Sequence, residues 1–148
     1  MVPSVENISL PDHKTAHTIT WKPAHSEHKG VLMILHGLTE HSGRYSHVAR
    51  FFTDRGFLVF ACDHRGHGKT DPDHHGFIDS DAPSHFDLLA RDALHLYSRI
   101  RQRYPALPIF VLGHSMGSFL AQRMMQLIPK DSTELLVGLI YSGSSGKP

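Results

Sequence analysis

The chain has 148 residues, 40% of them hydrophobic and 20% charged, an ordinary globular composition for one domain with a real core. Fifteen lysines and arginines stand against fourteen aspartates and glutamates, a balance that points to neither a nucleic-acid partner nor a strongly polybasic surface, and no nucleic-acid partner is expected. Cys62 is the only cysteine, so no internal disulfide forms. With no signal-peptide pattern at the N-terminus and no apolar run of bilayer length, a soluble cytoplasmic protein is expected.

Residues 15–21 alternate loosely and predict a first strand, ended by Pro23 and a polar turn. Residues 31–35 are apolar without alternation, the mark of a strand buried on both faces of a parallel sheet. Tyr45, Val48, Ala49 and Phe52 then recur at helical spacing after Ser42-Gly43, and Gly56 stops that helix. Residues 57–61 predict another buried strand, followed by a long loop over 64–83. Ser84 or Asp81 caps the next helix, which carries Phe86, Leu89, Ala93, Leu96 and Ile100 on one face. Arg99, Arg101 and Arg103 complement the macrodipole at its end. A strand over 107–112, a helix through Ile128 with Met116, Leu120, Met124 and Leu127 on one face, and a last strand over 135–141 follow. Successive βα units imply a right-handed, mostly parallel sheet with helices on both faces.

Between the 107–112 strand and its helix lies Gly113-His114-Ser115-Met116-Gly117, a G-x-S-x-G pentapeptide. In that context Ser115 is the candidate nucleophile, because Gly113 and Gly117 leave the room a sharp strand-to-helix turn needs. Ligand sites in such sheets lie at the carboxyl ends of the strands. His36-Gly37, the segment 63–68 and the pentapeptide all fall there. Acyl transfer needs two N–H donors aimed at a developing oxyanion. Met116, the residue after the nucleophile, supplies one; Leu38 is the choice for the other, with Gly37 allowing close backbone approach. His114 adjoins Ser115 but points to the other face, so it is not the base. His36, His64 and His67 sit at the same edge, yet a base also needs an orienting partner.

Fourteen histidines tempt a metal reading. The densest cluster, Asp71-Pro72-Asp73-His74-His75, lies in a loop and lacks a second ligand pair at helical spacing, so neither metal nor cofactor is expected. The expected consequence is instead a net charge that climbs steeply as pH falls through about 6.5.

Together these residues resemble the monoacylglycerol lipase and lysophospholipase branch of the α/β-hydrolase superfamily, also described as the serine aminopeptidase S33 type. Residues 36–45 match its H-G-x-x-E-H-S-x-R-Y segment, residues 63–68 its D-x-x-G-H-G loop, and residues 113–117 its G-H-S-M-G elbow. Ser118 stands where the family usually has another glycine. The resemblance implies an α/β-hydrolase fold in which residues 1–148 are the N-terminal portion of a single domain. On that reading the chain is truncated after about the sixth strand, with the cap, the later strands and the triad acid and histidine absent.

The resemblance further implies a serine ester hydrolase of an acylglycerol or lysophospholipid-like substrate. Ser115 would attack the ester carbonyl, Leu38 and Met116 would hold the oxyanion, and Gly37, Gly113, His114 and Gly117 would support loop and elbow. Glu40, Arg44 and Tyr45 would fix the oxyanion loop, and the full-length family implies peripheral membrane contact. No histidine follows Ser115, and Asp131 and Glu134, the only later carboxylates, precede the last strand, away from the catalytic edge. The alternative is therefore a non-catalytic, truncated module that binds lipid or a partner chain. In either case the last strand would present an apolar edge prone to self-association. Dehalogenase and epoxide hydrolase chemistry is disfavoured, because it uses Asp where Ser115 stands.

Overall fold

The unbroken apolar runs become the centre of a sheet. The computed structural model describes residues 3–74, 76, 84–129 and 136–145. Among them are strands β1 (Pro3–Ser9), β2 (Thr15–Trp21), β3 (Gly30–Leu35), β4 (Phe57–Cys62), β5 (Ile109–His114) and β6 (Leu136–Ser142). They lie in the order β1-β2-β4-β3-β5-β6. β1 and β2 form an antiparallel hairpin whose second strand runs antiparallel to β4, while β4, β3, β5 and β6 are mutually parallel. All six residues of β3 are buried, as an apolar run without alternation requires.

The helices α1 (Ser46–Thr53), α2 (His85–Arg103) and α3 (Met116–Leu127) cover both faces. Val31, Met33 and Leu35 pack with Leu96 and Ile100 of α2 and with Leu120 and Met124 of α3. Leu32 and Ile34 point the other way, toward Ala49 of α1 and Trp21. Each such buried Leu, Ile or Met side chain contributes roughly 1.5–3 kcal/mol. Ser84 caps α2, its hydroxyl accepting the Asp87 N–H at 3.2 Å. Arg101 closes the other end by donating to the carbonyls of Pro105 and Leu107. The alternative cap Asp81, the loop residue His75, the carboxylates Asp131 and Glu134, and Leu135 at the start of the predicted last strand lie outside the described residues.

β1 is an element that periodicity does not reveal. Six of its seven residues are exposed, so it carries no apolar alternation and only Ile8 reaches the core. Its pairing, Pro3 opposite Trp21 through Ser9 opposite Thr15, is set by the turn at residues 10–14. There the Leu10 N–H donates to the Lys14 carbonyl, and His13 takes φ 68°.

The strand order places the site. From β3 the chain crosses to β4 on one side and later to β5 on the other, so the winding reverses at β3 and a crevice opens at its carboxyl end. Leu35 pairs with Gly113 and Ile34 with Ala61, so the loops after β3, β4 and β5 leave the sheet side by side.

Candidate active site

Ser115 is the single residue between β5 and α3, and its backbone is held at φ 49°, ψ −118°. That is the conformation of the first central residue in a II′ turn, a region that favours glycine. The turn survives because its surroundings leave no alternative. The Ser115 N–H donates to the Ser142 carbonyl at 2.8 Å, and its own carbonyl accepts the Ser118 N–H at 2.9 Å and the Ser118 hydroxyl at 2.6 Å. A side chain on Gly113 would strike the Gly117 carbonyl, and one on Gly117 would strike the Leu35 carbonyl. Ser118 is fully buried and spends its hydroxyl inside the turn.

The loop after β3 packs against this turn. A Cβ built on Gly37 would lie 3.3 Å from the Ser115 Cβ and 3.4 Å from the His114 carbonyl oxygen. Glu40 Oε2 ties the loop down, accepting from the Gly37 N–H at 2.9 Å and from the Tyr45 hydroxyl at 2.7 Å, while Arg44 pairs with Oε1 at 3.3 Å. Burial pushes the Glu40 carboxyl up, but the Tyr45 and Gly37 hydrogen bonds outweigh it and hold the group below its ordinary range. Thr39 sits at φ 58°, a costly conformation for a β-branched residue. Leu38 is exposed, and among the described residues its N–H has no hydrogen-bond partner. Met116 opens α3, so its N–H is among the first donors that the helix leaves unbonded. Met116 directly follows Ser115, and Leu38 follows Gly37, the residue that packs against the Ser115 Cβ.

The loop after β4 closes the far side through contacts that no local pattern announces. Asp63 accepts from the Ser42 N–H at 2.6 Å, the Ser42 hydroxyl at 2.5 Å and the Lys69 N–H at 2.8 Å. Its burial raises the pKa, yet the Ser42 and Lys69 bonds win and keep it low. Arg65 is buried and forked, with both terminal nitrogens 2.7 Å from Asp12 and Nε 2.5 Å from Asp92. It links the β1–β2 turn to α2. The Asp63–Ser42 bonds and the Arg65 pairs, like the Ser142 carbonyl on Ser115, join residues far apart in sequence.

His36, His64 and His67 cluster at this edge with tilted and edge-on rings, His36 lying 4.0 Å from His64 and 5.1 Å from His67 between ring centroids. All three are buried. Burial depresses His36 to about 4 and His64 well below its ordinary value. The expected charging of the histidines near pH 6.5 does not extend to these two, because low-dielectric surroundings disfavour imidazolium. Among the described residues no histidine ring is hydrogen-bonded to Ser115; His114 instead faces the Ser142 hydroxyl at 3.1 Å. A cavity of about 370 Å³ opens beside the loop, lined by Thr39, Glu40, His41, His67 and Asp71.

Known proteins are similar to this chain in sequence and in fold. The human monoglyceride lipase is 41% identical over 68% of the chain, which covers 31% of that enzyme. The monoacylglycerol lipase of Mycolicibacterium smegmatis is 41% identical over 66%, with 32% of its length covered. The chain thus spans about a third of these relatives. A carboxyl esterase from Bacillus coagulans, solved with glycerol, superposes with a TM-score of 0.83 at 33% identity, over 99% of this chain and 46% of that one. A soluble variant of Saccharomyces cerevisiae monoglyceride lipase shares the fold, with a TM-score of 0.80 at 20% identity over 95% of this chain and 44% of its own. The family model for serine aminopeptidase, S33 matches residues 26–147. On that match this chain belongs to the S33 serine aminopeptidase family, built on the α/β-hydrolase fold.

Proposed function

We propose that the chain carries the nucleophile and the oxyanion donors of a serine ester hydrolase acting on monoacylglycerol-type or lysophospholipid-like esters. The observation that carries this reading is the strained Ser115 backbone, φ 49°, wedged between Gly113, Gly117 and the Gly37 loop. The lipase and esterase relatives support the ester substrate class. Ser115 Oγ attacks the ester carbonyl carbon, and the oxygen that becomes the oxyanion takes the Leu38 and Met116 N–H groups. The C–O bond to the alcohol breaks and the alcohol takes up the proton that Ser115 releases; water then attacks the acyl-serine, giving the carboxylic acid and restoring the Ser115 hydroxyl. Leu38, Phe86 and Phe119 expose apolar surface on the segments that begin at this edge, which suits an acyl chain or a membrane surface. The free thiol of Cys62 suits a reducing, cytoplasmic setting.

Ser115 must still lose its proton, and no described residue accepts it. The purified 148-residue chain therefore hydrolyses p-nitrophenyl butyrate barely above background, and Ser115→Ala changes that rate little. A fluorophosphonate labels Ser115 slowly but ahead of the other serines, read by peptide mass spectrometry. Ordinary turnover abolished by Ser115→Ala would reveal an internal base, and even labelling across the serines would remove Ser115 as nucleophile. A second reading, a module that binds lipid, a partner chain or its own copy, is favoured by the exposure of Val137, Ile140 and Tyr141 on β6.

A further inference from the structure

The carbonyl of Gly37 and the N–H of Leu38 belong to one peptide. No described peptide bond is cis, and in a trans peptide those two groups point in opposite directions, so whatever holds the carbonyl also aims the N–H. Two donors hold it: His36 Nδ1 at 2.8 Å and the Glu40 N–H at 3.3 Å. The other ring nitrogen of His36, Nε2, accepts the His64 backbone N–H at 3.0 Å. A backbone N–H only donates, so Nε2 is the bare nitrogen and the proton sits on Nδ1. The main chain of the β4 loop thereby dictates the tautomer that the β3 loop uses.

The surroundings keep that arrangement rigid. His36 is 1% exposed. His64 Nε2 faces the His36 carbonyl at 3.2 Å and His67 Nδ1 faces the Arg65 carbonyl at 2.8 Å, so each donates there and neither ring competes for the His36 proton. Glu40 on its own loop, with Asp63, His64 and His67 on the loop after β4, are the titratable groups acting on it.

We infer that His36 is a positioning residue: its Nδ1–H, locked in place by the His64 N–H on Nε2, orients the Gly37–Leu38 peptide and so presents the Leu38 N–H as an oxyanion donor. The use of that N–H rests on the hydrolase reading above; the orientation is a property of the chain itself. Protonation of His36 places a second N–H against the His64 N–H and breaks the lock.

The test uses the uniformly ¹⁵N-labelled chain. Long-range ¹H–¹⁵N correlations of the imidazoles show a protonated Nδ1 and a bare Nε2 for His36 at pH 7, and on acidification the Leu38 amide resonance moves with the same midpoint as the His36 ring. The opposite tautomer, or a Leu38 amide that ignores His36 titration, overturns the inference. His36→Asn keeps a donor near the Nδ1 position, whereas His36→Gln moves the amide to the Nε2 position. Fluorophosphonate labelling of Ser115 should slow by about 10²-fold in His36→Gln and much less in His36→Asn. A merely structural role would lower stability in both and leave the Leu38 amide shift of the folded chain alike in the two. If the wild-type serine fails to label, the hydrolase reading falls, while the two resonance measurements still decide the role of His36.

Discussion

At Gly117 a side chain has nowhere to go. Its Cβ would meet the Leu35 carbonyl, a main-chain atom of the central strand that cannot rotate away, and then the His36 carbonyl oxygen at 2.7 Å. Gly117→Ala is therefore expected to cost about 3 kcal/mol or more, in the upper range for overpacking, read as a fall in the urea midpoint. Ser118→Gly, one position on, removes a hydroxyl that donates to Ser115 and should cost only about 1 kcal/mol. Equal losses in the two variants would contradict the close approach of α3 to β3. The need for glycine here was legible in the pentapeptide. The identity of the atom that forbids a side chain was not, because Leu35 lies 82 positions earlier and reaches Gly117 only through sheet pairing.

Between elements, Arg65 joins the hairpin, the β4 loop and α2. Burial pushes the Asp92 carboxyl up despite its pairing with Arg65, whereas the Arg65 hydrogen bonds carry Asp12, half exposed, down to about 2. The buried partner dominates the energetics, since an exposed pair contributes little. Arg65→Met leaves Asp92 uncompensated and should cost about 3–5 kcal/mol by denaturant titration, and the double variant Arg65→Met/Asp92→Leu should recover most of it. Full additivity of the two substitutions would rule out the coupling. At the opposite end of the sheet, β6 pairs only with β5 among the described residues and exposes Val137, Ile140 and Tyr141. An edge left without a neighbour among the described residues would offer N–H and C=O groups to a second copy. Sedimentation at micromolar concentration should show dimers or larger species, and a lysine at Ile140 should shift them toward monomer; a monomeric wild type would refute this.

The whole molecule should be acid-sensitive. His36 and His64 stay neutral in the folded chain, with His36 at about 4, while in the unfolded chain both take up protons below about pH 6.5. Between those limits the unfolded state binds more protons, so stability falls as pH falls, by up to about 1.4 kcal/mol per pH unit for each ring. By pH 4 His36 alone costs about 3 kcal/mol. Above pH 7 neither contributes. Urea midpoints from pH 7.5 to 4.5 should decline steadily, and a flat profile would mean that these rings are not buried neutral. The sequence by itself determined the alternation of strand and helix, the buried central strand and the turn at Ser115, because hydrophobic period and glycine sterics are written in neighbouring residues. It did not determine that residues 3–9 form a strand, since an exposed edge leaves no period to read. Nor did it determine that Ser42 meets Asp63, that the His64 main chain sets the His36 tautomer, or that two of the histidines stay uncharged. Those follow from where the chain returns in space, and only tertiary structure decides which distant groups share a buried, low-dielectric site.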